Sequence, residues 1–181
     1  MLLALLASAP AGAQPARAHA APAQVHLLGN GRLAPVIRPA RSGRLVAFRF
    51  IAGRSGLAKS VQVWLGLASH ARALRVGVYS GGRGRPAVML RSGTARRLRA
   101  GHWNRVSIRG MSVARGRSYW IAFSGRGGSI AYRERLKGCR GSSATAALHR
   151  DALPARWRSR THARGCAGSA VVSGTLPVPP A

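Results

Sequence analysis

Glu134 and Asp151 are the only carboxylates in the chain, and they limit the chemistry it can carry. Hydrolysis by paired acids needs two such groups flanking one bond. These two lie apart in sequence, and each reads more simply as the ion-pair partner of a neighbour such as Arg133, Arg135 or Arg150. A serine nucleophile raised on a Gly-x-Ser-x-Gly elbow is absent. Gly56-Leu57-Ala58-Lys59-Ser60 ends like a phosphate-cradling loop but lacks the upstream glycine. A calcium site would need several carboxylates. Cys139, Cys166, His149 and His162 could form a zinc set, yet their spacing is not that of a finger. Arg156, Arg158, Arg160 and Arg164 would also repel a cation there. The expectation is a non-catalytic protein with no metal and no cofactor.

The two cysteines are better read as a pair. A Cys139–Cys166 disulfide would close a loop of about 28 residues and contribute about 3.5 kcal/mol in the chain-entropy model. Such a bond belongs outside the reducing cytoplasm. The N-terminus agrees: an apolar run from Leu2 to Ala13 leads to Ala18-His19-Ala20, the pattern of a signal peptide cleaved after Ala20, although no basic residue precedes the run. The run is too short to span a bilayer, and no integral membrane span is expected. A secreted or cell-surface location follows as an expectation.

Charge is the second constraint on partners. There are 30 Lys plus Arg residues, Lys59 and Lys137 being the only lysines, for a net charge of +28. Affinity for polyanions must follow. The arginines are spread through every segment rather than gathered in one block, which reads as Arg filling solvent-facing positions. Arg83-Gly84-Arg85-Pro86 matches the core of a minor-groove DNA reader, but a Gly/Pro turn between two strands explains the same residues.

Binding a sugar would need an exposed aromatic ring with hydrogen-bonding groups beside it. Trp64 shares a face with Gln62, and Tyr79 shares one with Arg75, each opposite an aliphatic stripe. If their strands are neighbours, Trp64, Tyr79, Gln62 and Arg75 form one patch; the competing reading buries both rings under a loop or a second sheet. Trp157 lies in the Arg-rich segment, where Arg156 or Arg158 could stack on it. Trp103 and Trp120 sit inside apolar alternations and read as core anchors.

The elements that would position these residues are short strands. Leu45–Ile51 alternates, with Val46, Phe48 and Phe50 on the core face. Ser60–Leu65 points Val61, Val63 and Leu65 one way; Leu74, Val76 and Val78 alternate likewise, as do Val106 and Ile108. Tyr119–Phe123 is apolar on both faces, and Ser129–Arg133 follows a Gly127-Gly128 turn. Period-two segments at roughly 10- to 15-residue intervals predict an all-β antiparallel sandwich. Ser142–His149 leaves room for one short helix. The division is 1–20 signal peptide, 21–42 lead-in with a candidate first strand, 43–174 sandwich domain and 175–181 Pro-rich tail.

From about Leu45 to Gly174 the landmarks form a familiar series. Val46-Ala47-Phe48-Arg49-Phe50 is followed by Leu74-Arg75-Val76-Gly77-Val78-Tyr79-Ser80 and Pro86. Then come Gly101-His102-Trp103-Asn104-Arg105-Val106 and Val113 to Ala122. This order resembles the secreted actinobacterial-type β-sandwich modules that accompany fibronectin type III domains and glycoside hydrolases, which are similar to carbohydrate-binding jelly rolls. The resemblance implies a jelly-roll-like fold and a glycan or cell-wall polymer as ligand. Arg here replaces the acidic and Ser/Thr surface usual in those modules, which moves the expected ligand toward an anionic polymer. The alternative is a non-specific polyanion binder acting on nucleic acid, teichoic acid or anionic lipid through Arg charge alone.

Overall fold

Val46 and Phe48 point into a closed interior while Leu45 and Ala47, one residue away, point to the opposite side of the same strand. That alternation, repeated along the chain, builds the fold. The computed structural model describes residues 23–82, 84–136, 139, 142–147, 152–158 and 165–177. The predicted signal peptide, His149, Asp151, His162 and Arg83 lie outside the described residues.

Eleven strands are present: β1 (Val25–Gly29), β2 (Val36–Ala40), β3 (Arg44–Ile51), β4 (Gly56–Leu65), β5 (Ala73–Gly82), β6 (Arg85–Ala95), β7 (His102–Val113), β8 (Ser118–Arg126), β9 (Ile130–Glu134), β10 (Ser143–Ala147) and β11 (Ala170–Thr175). The first sheet runs β1-β11-β4-β9-β2, with β7 on the other side of β4. β9 meets β4 only at Leu65↔Tyr132, so β9 and β2 extend the sheet beyond the end of β11. The second sheet runs β10-β3-β8-β5-β6, and every pairing is antiparallel. From β3 to β9 the chain passes repeatedly between the sheets, the topology of a jelly roll. The lead-in contributes both β1 and β2, so the sandwich begins at Val25 rather than at residue 43.

Two conformational details explain the turns. Gly101 and Gly116, in the turns that lead into β7 and β8, have φ of +76° and +78°, a region that L side chains enter only with strain. Against β11 the pairing of β4 slips at Lys59, with Ala58 opposite Gly174 and Ser60 opposite the adjacent Ser173. Lys59 is therefore an extra residue in a bulge, and Ala58 and Val61 can both face the core.

The inner faces supply one core, including Phe48, Val61, Val63, Leu65, Val76, Ile121, Phe123 and Val172. Phe48, Phe123 and Tyr132 interlock, with ring centroids 5.4–5.8 Å apart. A second core lies on the outer face of the second sheet, where Leu45, Ala47, Tyr79, Trp120, Ala122, Ala144 and Ala146 gather beneath Trp157. This explains why β8 is apolar on both faces.

One expectation fails here. No helix occurs among the described residues, and most of the stretch expected as a short helix is β10, paired with β3 from Ser143↔Phe48 to Ala147↔Arg44. Its alanines favour a helix in isolation, but Ala144 and Ala146 gain burial in the second core as alternate residues of a strand, and that burial outweighs a few tenths of a kcal/mol per residue of propensity. The Cys139–Cys166 disulfide is formed, with Cα atoms 5.4 Å apart. β2 is an edge strand, carrying Arg38 and Pro39 beside an exposed Ile37.

Candidate functional site

Arg38 on β2 and Glu134 on β9 come together because the antiparallel register sets Arg38 against Tyr132 and Val36 against Glu134. Across the gap, the pairing of β10 with β3 places Thr145 where the Arg44 side chain can reach it. Between these strand pairs a cleft of about 570 Å³ opens at one side of the sandwich. Arg38, Arg44, Arg135, Tyr132, Glu134 and Thr145 are among its lining residues. The Arg38 Nε donates to Glu134 Oε1 at 2.8 Å, and an Arg44 Nη donates to Thr145 Oγ1 at 3.0 Å. Glu134 is the more sheltered partner, 13% exposed against 50% for Arg38. The ion pair expected for Glu134 is thus present, but its partner is Arg38, across the β2–β9 pairing, rather than a sequence neighbour.

Tyr132 closes the floor of the cleft, its ring packed on Phe48 and Phe123. Burial pushes its phenol up to about 12, and the negative charge of Glu134 adds to the rise, while Arg38 and Arg44 pull the other way. Burial also raises Tyr79, further still. At neutral pH the Tyr132 hydroxyl is therefore a hydrogen-bond donor. Three guanidinium groups, a phenol and a threonine hydroxyl set against one carboxylate suit a partner that carries both anionic groups and hydroxyls.

The shifted phenols give an alkaline prediction with a definite sign. Below pH 10 both tyrosines are neutral in either state. Above pH 10 the unfolded chain ionises first, so stability falls from about pH 10 to about 12 and beyond. Absorbance at 295 nm together with thermal melts should show tyrosinate appearing late and Tm falling over that interval. A normal, fully reversible titration of every tyrosine near 10 would contradict it.

The four residues expected to form one aromatic patch are not brought together. β4 lies in the first sheet and β5 in the second, so Gln62 and Trp64 face outward from one layer while Arg75 and Tyr79 face outward from the other. Neither ring is open. Trp64 is 7% exposed, with the Arg133 guanidinium 4.6 Å from its ring centroid. Arg133 also donates to the Ala34 carbonyl at 2.8 Å, fixing the β1–β2 connection across the indole. Tyr79 is fully buried, its hydroxyl donating to the Pro154 carbonyl at 2.9 Å. Trp157 packs edge-on against Tyr79 at 5.8 Å, which puts its ring in the second core rather than under a stacked arginine.

Trp120 is a core anchor, as expected, but Trp103 is not. It is half-buried on the outer face of the first sheet, the register partner of Trp64, in line with exposed Arg105 and Ser107. Its own alternation with Asn104 and Val106 carried that signal. Nothing in the sequence singled out Arg38, Arg44 or Thr145, because strand pairing alone assembles them. Gly84, with φ of +75°, precedes β6, as the turn reading of the Gly/Pro segment requires. Among the described residues, no three His, Cys, Asp or Glu side chains are grouped to hold a metal. No helix among the described residues is long and apolar enough to cross a membrane. No protein-family model matches the chain, and no curated protein matches it.

Proposed function

We propose that this protein is a non-catalytic binding module acting outside the reducing cytoplasm, and that its ligand is an anionic glycan or cell-wall polymer. The observation that carries the reading is the edge cleft, where Arg38, Arg44 and Arg135 face a single Glu134 already engaged by Arg38. Guanidinium groups pair with carboxylate or phosphate in two-pronged fashion, while Glu134 and Thr145 offer acceptors for hydroxyls. The disulfide is compatible with an exported protein.

Retention on insoluble polyuronate, purified cell walls and neutral cellulose tests this at physiological salt. Retention on the acidic materials and not on cellulose is the expected result. The double variant Arg44→Ala/Arg135→Ala should weaken retention about ten- to hundredfold, given about 1.5–3 kcal/mol for a charged hydrogen bond. Retention on no glycan would remove the proposal.

A second reading rests on the exposure of Arg96, Arg97, Arg99, Arg105 and Arg109 along the β6–β7 connection and β7. These favour binding through charge alone. Affinity would then fall steeply with salt and ignore the polymer's identity, and Arg105→Ala/Arg109→Ala would cost as much as the cleft variant.

A further inference from the structure

Leu67 is 81% exposed, the most exposed large apolar side chain among the described residues. It occupies the tip of the β4–β5 connection, in a turn closed by the Ser69 N–H donating to the Gly66 carbonyl at 3.0 Å. Turn tips usually carry polar residues or glycine; here Leu67 is followed by an exposed Ala68. The turn is pinned rather than loose. The Gly66 N–H donates to the Ala131 carbonyl at 2.7 Å, the Ala131 N–H to Ser69 Oγ at 2.9 Å, and the His70 N–H to the Ser129 carbonyl at 2.9 Å. Leu67 also leans over Gly101 of the β6–β7 connection, where an added Cβ would come within 2.8 Å of Leu67 Cδ2. An isobutyl group is therefore held in water by a firm support.

Three connections meet at this end of the sandwich. The Gly101 N–H donates to the Leu65 carbonyl at 2.8 Å, and the Arg72 N–H donates to the Arg126 carbonyl at 2.9 Å. Between them they carry exposed Arg72, Arg96, Arg97 and Arg99, together with His70 and His102, and contain no carboxylate. A dissolved polyanion would satisfy these arginines and leave Leu67 in water. A bilayer with anionic headgroups satisfies both, since it offers phosphates at the depth of the arginines and an acyl boundary just below.

We propose that this end of the sandwich docks on an anionic lipid surface, with Leu67 entering the headgroup–acyl boundary and the surrounding arginines pairing with lipid phosphates. The proposal is independent of the edge cleft; it shares Arg96, Arg97 and Arg99 with binding through charge alone and differs from it in requiring Leu67.

The test uses the full chain and vesicles of phosphatidylglycerol mixed with phosphatidylcholine, compared with phosphatidylcholine alone. Both native cysteines are consumed by the disulfide, so one introduced thiol takes an environment-sensitive label by itself. A label at Leu67→Cys should shift to the blue and brighten at least about twofold on the anionic vesicles, as insertion into the boundary requires. A label at Ile51→Cys, 65% exposed at the opposite end of the sandwich, should not respond. Leu67→Ser should weaken binding about tenfold, the loss expected for one leucine's worth of apolar burial, with Tm unchanged. The proposal is overturned by any of three results. One is sedimentation with the vesicles while the label at 67 stays silent, which is adsorption by charge alone. The others are an equal response of both labels and no sedimentation with anionic vesicles.

Discussion

Trp157→Ala should lower the unfolding free energy by about 3–5 kcal/mol, the cost of emptying a buried indole site. Trp157 is 6% exposed and forms the lid of the second core over Leu45, Ala47, Tyr79 and Trp120. It is held in place by backbone hydrogen bonds: its N–H donates to the Ala87 carbonyl, and the Met89 N–H donates to the Ala155 carbonyl, both at 2.8 Å. Those bonds run along β6, so the segment is docked on the sheet and not merely laid across it. Urea unfolding followed by circular dichroism would measure the loss, which corresponds to about 10 °C in Tm for a domain of this size. Alkaline titration should register the same change, with Tyr79 moving down toward the ordinary phenol value as its cover is lost. Trp157→Phe keeps most of the packing and removes an indole N–H that has no hydrogen-bond partner among the described residues, so it should cost under about 1.5 kcal/mol. An alanine variant that loses less than about 1 kcal/mol would show that the segment contributes little to holding the sheet.

The second large effect is expected from Cys139→Ser/Cys166→Ser, with reduction of the wild-type protein as its parallel. The cysteines are 27 positions apart, and opening such a loop should cost about 3.5 kcal/mol through the unfolded chain. The loop contains β10 and Trp157, so two parts of the second core lie inside the covalent ring. Combining the serine pair with Trp157→Ala should therefore cost less than the sum of the two, because both act on the same segment. Calorimetry of the four proteins would measure the coupling. Strict additivity would show that the bond and the lid stabilise separate parts of the molecule.

The strands that face the core were legible because burial on one side leaves a period-two record. Val46 and Phe48, Val61 and Val63, and Leu74 and Val76 all point inward as their alternation requires. The cysteine pairing was legible from number and context. β10 was not, since a run of Ser, Ala and Thr carries little pattern and its strand state depends on a partner far away in sequence. The face of a ring could be read as well: Trp64 does lie with Gln62, and Tyr79 with Arg75. What could not be read was which strands share a sheet and what lies on top. β4 and β5 are consecutive, yet a jelly roll sends them to opposite layers, and Arg133 and Trp157 arrive from elsewhere to cover the rings. The cleft arginines escaped notice for the complementary reason. In a chain of +28 charge, Arg38 and Arg44 look like every other arginine until pairing sets them around Glu134.

The edge strand β2 has a consequence for the molecule in crowded, concentrated surroundings. A bare sheet margin is a template on which another chain can lay a strand. Pro39 interrupts the row of donors that such growth needs, and Arg38 brings a charge that a second copy would meet with its own. Fibril-like stacking along this margin is thereby discouraged even though Ile37 beside it is exposed. Pro39→Thr with Arg38→Thr should turn the margin into a growth site, visible as thioflavin-positive aggregation above that of the unaltered protein.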